Sequence, residues 1–509
     1  MTSVKNRFED VLPLQENTTA SRPKTLAGKK YSFDDQLKFA ELSGDYNPLH
    51  LDPAVARREL FGEVVVHGIR VLLDGLDLII QKSMRPEKKI WISSIRCMFQ
   101  NPVFLNVPVI FTCDEPAPEN YHLEARGHNG SLLVESYFSF SSPQPQSLPK
   151  ISALAMNSGK PPAMLSIQDI KDKNGIVELN CPRSLAAVLF PHISKVIAPV
   201  QVAELLSLTR LVGMECPGLR SVLSSFELHS TCPVTTQSCA HYKVVAVNER
   251  FLKADIEMMG PSMKGVIKTF VRPGPQKQPS FGEVRKKIDP GILNNHTALI
   301  IGGTRGIGEI TAKIIAAGGG YPVITYFSGV KDAEKLKNEI LAQDGNCATI
   351  PFDVTKPGRY IKHLKALTMR FSAIYYFATP KIFVKKGSAF DNTLFKNFNK
   401  FYVSGLYNTY TILRKLYPHP MVLFNPSSVA IDEKIAELME YALSKKASED
   451  LCSYLTAKDK NLKIVTKRLP RIATDQTITI TNVPAAGALE VMLPIVKEMH
   501  LLLEKLISL

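Results

Sequence analysis

The stretch Thr297–Gly319, TALIIGGTRGIGEITAKIIAAGG, decides the fold of the last part of this 509-residue chain. An apolar run that suits a buried strand leads into a glycine-rich turn, and an amphipathic helical pattern follows. Gly302, Gly306 and Gly308 let the backbone approach a pyrophosphate at the N-terminus of that helix. The spacing is Gly-x3-Gly-x-Gly rather than Gly-x-Gly-x-x-Gly, so the turn alone does not identify a class of enzyme.

A second pattern lies farther along the same part of the chain. Ser428 ends the apolar run PMVLFNPSS, and Tyr441 follows thirteen residues later. Tyr441 and Lys445 are four residues apart, so on a helix they share one face. We expect the nearby ammonium to lower the pKa of the phenol, which lets Tyr441 donate a proton to a carbonyl as hydride arrives.

The glycine turn and the Ser-x12-Tyr-x3-Lys pattern together resemble the short-chain dehydrogenase/reductase family, over nearly all of residues 293–509. The resemblance implies a Rossmann-type doubly wound parallel sheet, in which Ser428 polarises the carbonyl, Tyr441 is the acid/base and Lys445 holds the nicotinamide ribose. A nucleotide-free Rossmann domain with a chance Tyr-x3-Lys is the alternative. The cofactor-binding residues predicted in this way are Gly302, Arg305, Gly306, Ile307, Gly308, Asp353 and Lys445.

This sequence departs from the family pattern at several positions. Ile301 replaces the usual Thr before the first glycine, and residues 375–380, YYFATP, replace Asn-Asn-Ala-Gly. Tyr402 stands where the family has the helix Asn that completes a proton relay, and Pro470-Arg471 replaces Pro-Gly. Resupply of the proton is therefore expected to be slow or to need a bridging water.

The residues after the second predicted strand indicate the cofactor. The strand PVITYFSG, residues 322–329, ends without an Asp that could bind a ribose 2′-hydroxyl. Arg305 stands in the glycine turn, where a cation can meet a 2′-phosphate. Both features favour NADP over NAD.

A different set of polar residues occurs near the start of the chain, in FAELSGDYNPLHLD, residues 39–52. Asp45, Asn47 and His50 follow a predicted helix end, and a buried Asp–His couple can hold a water or a substrate C–H between its members. Farther on, Gly68 opens a helical run in VVVHGIRVLLDGL. Its backbone N–H can donate to a developing oxyanion.

The motif Gly-Asp-x-Asn-Pro-x-His with a downstream VVHG resembles the MaoC-like family of (R)-specific enoyl thioester hydratases and dehydratases, over roughly residues 10–145. The resemblance implies a hotdog fold, in which an antiparallel sheet wraps a long helix. It also implies that Asp45 and His50 are the catalytic pair, that Asn47 orients them and that Gly68 lends its N–H to the thioester carbonyl. A capped turn with a buried histidine is the alternative.

A faint repeat suggests a second hotdog. SSIRCMFQNPV begins at Ser93 and SSFELHSTCPV at Ser224, each after an apolar helical pattern, although chance similarity competes with this interpretation. The second copy lacks the Asp-x-Asn-Pro-x-His motif and is predicted to be degenerate. Linkers rich in Pro, Ser and Gln precede and follow it. The chain is thus predicted to be multidomain, α+β and α/β, with a hydratase domain at 1–145, a degenerate hotdog at 164–275 and a reductase at 290–509.

Composition limits the partners and the compartment. The net charge of +15 comes from 62 basic and 47 acidic residues, with no nucleic-acid motif. It fits a basic soluble protein, or attraction to coenzyme A phosphates or an acidic carrier protein. No apolar run reaches the ~18 residues of a membrane span, and the N-terminus lacks a signal-peptide core. Eight scattered cysteines and eleven dispersed histidines predict a cytoplasmic protein without a metal site.

The two resemblances describe consecutive reactions, because a reductase makes the 3-hydroxyacyl thioester that a dehydratase consumes. The sequence therefore predicts a bifunctional enzyme of fatty-acid or polyketide type, in which fusion raises the local substrate concentration. The alternatives are hydration followed by NAD-dependent oxidation, as in β-oxidation, and a reductase half that only binds or scaffolds. Acyl chain length, and coenzyme A versus carrier protein, stay open. We expect a homo-oligomer because both families usually associate.

Overall fold

The structure is a computed structural model, and it describes residues 23–83, 89–142, 149–153, 159–231, 238–383, 389–479 and 483–508. Three sequence features lie wholly or partly outside these ranges: the N-terminal stretch, the linker at 143–163 and the end of the repeat that begins at Ser224. The chain forms two compact units. The first contains residues 1–51 and 65–271, and the second contains residues 52–64 and 272–509.

The first unit is built on one antiparallel sheet of ten strands. Its strands are β1 (Lys24–Lys29), β2 (Trp91–Phe99), β3 (Val109–Ala117), β4 (Asn120–Gly127), β5 (Leu132–Ser141), β6 (Asn174–Glu178), β7 (Ser221–Ser230), β8 (Cys239–Asn248), β9 (Lys253–Met259) and β10 (Met263–Val271).

The strand order repeats within this sheet. The order is β1-β3-β4-β5-β2-β7-β10-β9-β8-β6, so β6 to β10 follow the same path as β1 to β5 and the two sets join through β2 and β7. In that join, Ser94 is paired with His229 and Met98 with Ser225. The two predicted repeats therefore lie side by side at the centre of one sheet.

Two buried helices lie at matching places in the two sets. The helices of the first unit are α1 (Phe33–Ser43), α2 (Pro48–Leu51), α4 (Gly68–Ser83), α5 (Arg183–Leu189), α6 (Ile193–Val196) and α7 (Pro199–Arg210). α4 precedes β2, and α7 precedes β7. Every residue of α7 after Pro199 is buried, as expected for a helix enclosed on all sides. Residues of both sets form one continuous apolar core.

The second unit contains a parallel sheet of six strands in the order β13-β12-β11-β14-β15-β16. Alternate residues of the central strand enter different cores, because side chains alternate across a strand. Ala298 and Ile300 lie in one, and Leu299 and Ile301 in the other. The strands are β11 (Thr297–Ile301), β12 (Tyr321–Tyr326), β13 (Ala348–Pro351), β14 (Ala373–Tyr376), β15 (Met421–Ser428) and β16 (Leu462–Leu469).

Helices cover both faces of this sheet, which is the predicted Rossmann-type arrangement. The helices of this unit are α3 (Pro53–Ala56), α8 (Phe281–Arg285), α9 (Gly306–Ala317), α10 (Val330–Leu341), α11 (Ile361–Ala366), α12 (Asn392–Asn399), α13 (Leu406–Leu416), α14 (Ala430–Glu433), α15 (Met439–Lys458) and α16 (Ala488–Ile507). No helix in the described part of the chain is long and apolar enough to cross a bilayer.

One assignment was not anticipated from the sequence. Residues 52–64 lie inside the predicted hydratase domain in sequence, yet they pack in the second unit. The predicted boundaries near 145, 164, 275 and 290 stay predictions.

Candidate active sites

The first candidate site begins where α1 ends. Gly44 ends the helix in the left-handed conformation, with φ of 75°, and its N–H donates to the Ala40 carbonyl. The next residue, Asp45, is buried, and both of its carboxylate oxygens accept hydrogen bonds. The backbone N–H of Asn47 donates to Oδ1 at 3.1 Å, and the Thr209 hydroxyl donates to Oδ2 at 2.6 Å. The carboxylate is therefore held in one orientation.

The second set of elements closes around this carboxylate. A π-helical turn, Leu211–Glu215, follows α7 and places Gly213 against Asp45. A Cβ on Gly213 would lie 2.5 Å from Oδ1, so any side chain at this position would displace the carboxylate. The Asn47 side chain donates to the Gly213 carbonyl at 2.9 Å. Asn47 thus orients Asp45 through its backbone and fixes the loop through its side chain.

His50 lies close to Asp45 in a defined tautomer. Its Nδ1 is 2.6 Å from the Val65 carbonyl oxygen, which can only accept, so Nδ1 carries a proton and the neutral ring has its lone pair on Nε2. The ring stacks on His67 at 3.9 Å between centroids. The Nε2 atom of His67 lies 3.1 Å from the Asp45 carbonyl oxygen and 3.8 Å from its Oδ2. The structure therefore brings together the acid and base predicted from the sequence.

Burial sets the protonation of this group. It raises the pKa of Asp45, against the opposing effects of His50, the Thr209 hydroxyl and the Asn47 amide. It lowers the pKa of His67 well below the ordinary value, so that ring is neutral near pH 7. A raised carboxyl pKa beside a neutral imidazole is what proton exchange near neutrality requires.

Gly68 starts α4 and carries the amide predicted to face the substrate carbonyl. Among the described residues, none accepts a hydrogen bond from this amide, as expected for the first turn of a helix. A Cβ here would lie 2.7 Å from Cε1 of Phe99, so close packing of that ring requires glycine.

Two groups in the described chain have the ligand types that bind metals. Ligand atoms of Asp45, His50 and His67 lie within 4.8 Å of one another, and so do those of a second group, His122, Glu124 and Glu135. The shortest contacts around His50 and His67 are to backbone carbonyls. The sequence expectation that no metal is bound stays a prediction.

The second candidate site is in the parallel-sheet unit, at the carboxyl end of β11. Gly302 has φ of 78° and Gly306 φ of 57°, values that disfavour other residues. A Cβ on Gly302 would lie 3.1 Å from the backbone of Phe377, and one on Gly308 would overlap the Gly302 carbonyl oxygen. The bare turn ahead of α9 fits the approach of a dinucleotide pyrophosphate to the helix N-terminus.

The other residues predicted for the cofactor have distinct surroundings. Ile307 packs against the core, and Asp353 accepts a hydrogen bond from the Thr355 amide at 2.8 Å. Arg305 donates from Nη1 to the Arg57 carbonyl at 2.7 Å and lies 3.8 Å from a carboxylate oxygen of Asp475. The Arg305 guanidinium is therefore engaged with protein groups.

The predicted catalytic residues of this unit lie together. Ser428 ends β15 and Tyr441 lies in the first turn of α15, and the Ser428 hydroxyl is close enough to affect the titration of the Tyr441 phenol. The pKa of Tyr441 is raised by burial, although the Ser428 hydroxyl opposes this. The expectation that Lys445 lowers this pKa is therefore wrong, because desolvation of the phenolate dominates.

Lys445 is buried one helical turn beyond Tyr441. Its Nζ donates to the Pro426 carbonyl at 2.7 Å and lies 3.9 Å from the ring centroid of Tyr402, but 5.9 Å from that of Tyr441. Burial lowers the pKa of this ammonium to about 7. The nearest aromatic partner of the cation is thus Tyr402 rather than the predicted acid.

Tyr402 lies in a π-helical turn, Lys400–Gly405, between α12 and α13. Its hydroxyl is hydrogen-bonded to Thr379, and its ring stacks on Phe398 at 5.8 Å between centroids. Burial raises the pKa of this phenol well above the ordinary value. A neutral ring therefore occupies the position where the family pattern predicts a polar amide.

Comparison with protein families identifies both parts of the chain. Residues 14–114 match the family described as MaoC like domain, and residues 296–475 match the family described as short chain dehydrogenase. The chain therefore combines a MaoC-like domain with a short-chain dehydrogenase domain, which confirms both resemblances.

Individual relatives cover parts of the chain. The (R)-specific enoyl-CoA hydratase of Aeromonas caviae is 44% identical over 55 residues, which are 10% of this chain and 41% of that protein. The chain thus spans about two fifths of that relative's length. The short chain dehydrogenase of Salmonella enterica serovar Typhi is 17% identical, with a TM-score of 0.38, over 42% of this chain and 92% of the other. The Pseudomonas aeruginosa RhlG/NADP active-site complex is 20% identical, with a TM-score of 0.37, over the same shares of the two chains.

The sequence did not predict the residues that contact the first site from distant parts of the chain. Thr209 and Gly213 are more than 160 positions from Asp45, and neither lies in a recognisable motif. His67, directly before Gly68, was also not predicted as part of the site. Its position in VVVHG, one residue before a predicted helix start, was the one local signal that could have identified it.

Proposed function

We propose that this protein is a bifunctional acyl-thioester enzyme. Its second unit reduces a 3-oxoacyl thioester with NADPH, and its first unit dehydrates the 3-hydroxyacyl product to the 2-enoyl thioester, or hydrates the latter. The observation that carries this proposal is the hydrogen-bonded placement of Asp45 and His50 beside an open helix N-terminus, in a chain that also carries Ser428, Tyr441 and Lys445 side by side.

In the hydration direction, the thioester carbonyl accepts a hydrogen bond from the Gly68 amide, which stabilises the developing enolate. His50, protonated on Nδ1, takes a proton from water through Nε2 as the oxygen bonds to C3. Asp45, with its raised pKa, supplies the proton that C2 receives. Dehydration is the reverse, with the same two groups exchanging roles.

In the reductase unit, a nicotinamide cofactor supplies hydride to the carbonyl carbon. The bare turn at Gly302, Gly306 and Gly308 would hold its pyrophosphate, Asp353 its adenine and Lys445 its ribose. Ser428 would donate to the substrate carbonyl, and Tyr441 would transfer its proton to that oxygen. Selection of NADP over NAD, and of coenzyme A or a carrier protein as acyl donor, belongs to the same proposal.

The proposal includes two hotdog copies. The repeated strand order, and the matching places of α4 and α7 before β2 and β7, support this assignment. The second copy lacks an acid–base pair and instead contributes Thr209 and Gly213 to the site of the first. It would also complete the acyl-binding surface.

One observation favours a second candidate, a hydratase fused to a nucleotide-binding domain that does not reduce ketones. The ring of Tyr402 covers the Lys445 ammonium, and its hydroxyl is directed to Thr379, so the amide of the family pattern is replaced by an aromatic side chain. Such a domain would bind NADPH without turnover.

The experiment is an assay of the purified full chain with acetoacetyl and crotonyl thioesters, each on coenzyme A and on carrier protein, with NADPH and NADH. Hydration of crotonyl thioester and NADPH-dependent reduction of acetoacetyl thioester are expected. NADPH binding without reduction would select the second candidate, and absence of hydration would remove the hydratase.

A further inference from the structure

The segment Asp52–Val64 packs in the second unit, where several interactions fix it. Each of these interactions involves a cationic side chain from another part of the unit. Arg272 forms a buried ion pair with Glu59. Lys381 donates a hydrogen bond to the Phe61 carbonyl, and Arg305 donates one to the Arg57 carbonyl. The position of Arg57 is therefore set by contacts to its own carbonyl and to the residues that follow it.

This segment runs along the edge of the sheet where ligands of such folds bind. Arg57 reaches Gly329, which follows the carboxyl end of β12, and a Cβ on Gly329 would lie 2.8 Å from Nη1 of Arg57. In doubly wound sheets the cofactor lies outside the carboxyl ends of the strands, and residues just after the second strand read the 2′ substituent of the ribose. The Arg57 guanidinium is thus at the expected 2′ position.

The charges around Arg57 leave room for a further anion. Five charged side chains face one another: Arg57 and Arg58 pair with Asp332, while Arg305 lies near Asp475. Three cations therefore oppose two carboxylates. The Nε atoms of Arg57 and Arg58 are buried and have no acceptor among the described residues. Burial and the neighbouring Arg305 and Arg58 lower the pKa of Arg57 to about 10, as expected where the nearby carboxylates only partly balance the cations.

We propose that Arg57, with Arg58 beside it, binds the 2′-phosphate of NADP in the second unit. The inference rests on the proposed function and changes the role predicted for Arg305. The Arg305 guanidinium binds the Arg57 carbonyl, which makes it a positioning residue for the phosphate ligand. A dianionic phosphate would exchange with Asp332 as a partner of the two arginines, in bidentate geometry suited to guanidinium groups.

The test compares 2′,5′-ADP with 5′-AMP by isothermal titration calorimetry of the full chain, because the two nucleotides differ only in the 2′-phosphate. Arg57→Gln should weaken 2′,5′-ADP at least tenfold and leave 5′-AMP within twofold. The matched control is Arg370→Gln. Arg370 is exposed and lies just before β14, at the amino ends of the strands rather than the carboxyl ends, so this change should alter neither affinity.

A second variant keeps the proposal falsifiable if Arg57→Gln does not fold. Asp332→Asn removes the carboxylate that pairs with both arginines and should tighten 2′,5′-ADP several-fold, with 5′-AMP unchanged. Arg57→Gln with unaltered 2′,5′-ADP affinity would overturn the inference alone. Tighter binding by Arg57→Gln would overturn it by showing that the segment obstructs the pocket. A wild-type chain that binds neither nucleotide nor NADPH would overturn both this inference and the NADPH part of the proposed function.

Discussion

Each candidate active site contains a π-helical turn, and the two turns have opposite effects. In the first unit, the turn Leu211–Glu215 places Gly213 against Asp45. Because Gly213 has no side chain, the Asp45 carboxylate can lie directly against its backbone. In the second unit, Lys400–Gly405 places the ring of Tyr402 over the Lys445 ammonium. π-Helical turns are frequent at functional sites because the extra residue redirects a side chain.

This difference shows how the surroundings of a motif decide what the motif can do. Asp45 keeps two hydrogen-bond donors on its carboxylate, and His50 keeps a defined tautomer. Lys445 and Tyr441 are both present, but the ammonium is directed to a backbone carbonyl and an aromatic ring. Hydrogen bonds thus orient the carboxylate of the first site, whereas in the second site the ammonium lies closer to the ring of Tyr402 than to that of Tyr441.

The largest expected effect concerns Asp45. Asp45→Asn keeps the size of the side chain and removes the exchangeable proton, so hydration of crotonyl thioester should fall by a factor of about 10² or more. NADPH binding should be unchanged, and Asp34→Asn, an exposed acid on α1, is the matched control. Full hydratase activity in Asp45→Asn would show that Asp45 is not the acid of this reaction.

The next effect concerns the acid of the second site. Tyr441→Phe preserves ring packing and removes the hydroxyl that transfers the proton, so NADPH binding should survive while reduction of acetoacetyl thioester falls by about 10². Stopped-flow absorbance of NADPH measures the loss. Unchanged reduction would exclude Tyr441 as the acid.

If the wild-type chain binds NADPH but reduces nothing, Tyr402→Asn becomes the informative change. It removes the ring over Lys445 and introduces the amide that the family pattern predicts there. Reduction of acetoacetyl thioester by this variant would show that Tyr402 alone blocks the relay. Continued absence of reduction would favour a nucleotide-binding domain that does not reduce ketones.

The parts of the fold that could be predicted from sequence are those encoded by short-range patterns. The run Thr297–Gly319 specifies a strand, a turn and a helix in consecutive residues, and SGDYNPLH brings Asp45, Asn47 and His50 together within one loop. In both cases the spacing along the chain fixes the spacing in the structure. The parallel sheet of the second unit and the grouping of Asp45, Asn47 and His50 could therefore be predicted from the sequence.

The rest depends on contacts between distant parts of the chain. Thr209 is 164 positions from Asp45, and the Arg57 carbonyl is 248 positions from the arginine that binds it. Burial is equally non-local: the pKa of Tyr441 rises because packing removes water from the phenol, an effect that a Tyr-x3-Lys spacing does not contain. Such contacts have no signature in a single sequence.

A smaller effect tests the contribution of the second hotdog copy to the first site. Thr209→Val removes the donor to Asp45 Oδ2, a hydrogen bond to a charged group worth about 1.5–3 kcal/mol, so hydration should fall about tenfold or more. Because this hydrogen bond lowers the pKa of Asp45, its loss should also move the Asp45 limb of the pH–rate profile to higher pH. Thr209→Ser should restore both, whereas an unmoved limb would reduce Thr209 to a packing role.

The smallest effect is on stability and tests whether Lys445 is as poorly compensated as its surroundings indicate. Its pKa is lowered from 10.5 to about 7 in the folded chain, so between pH 7 and 10.5 the unfolded chain binds the additional proton. Stability contributed by this group therefore rises with pH through that window and is lost as pH falls toward 7.

In Lys445→Met the rise should be absent, so the melting temperature of the wild type should gain a few degrees relative to the variant between pH 7 and 9. Lys446→Met, which changes an exposed neighbour on the same helix, should keep the wild-type pH dependence. A melting-temperature difference that does not vary with pH would mean that the Tyr402 ring and the Pro426 carbonyl fully stabilise the charge, and the second site would then hold a permanent ammonium beside Tyr441.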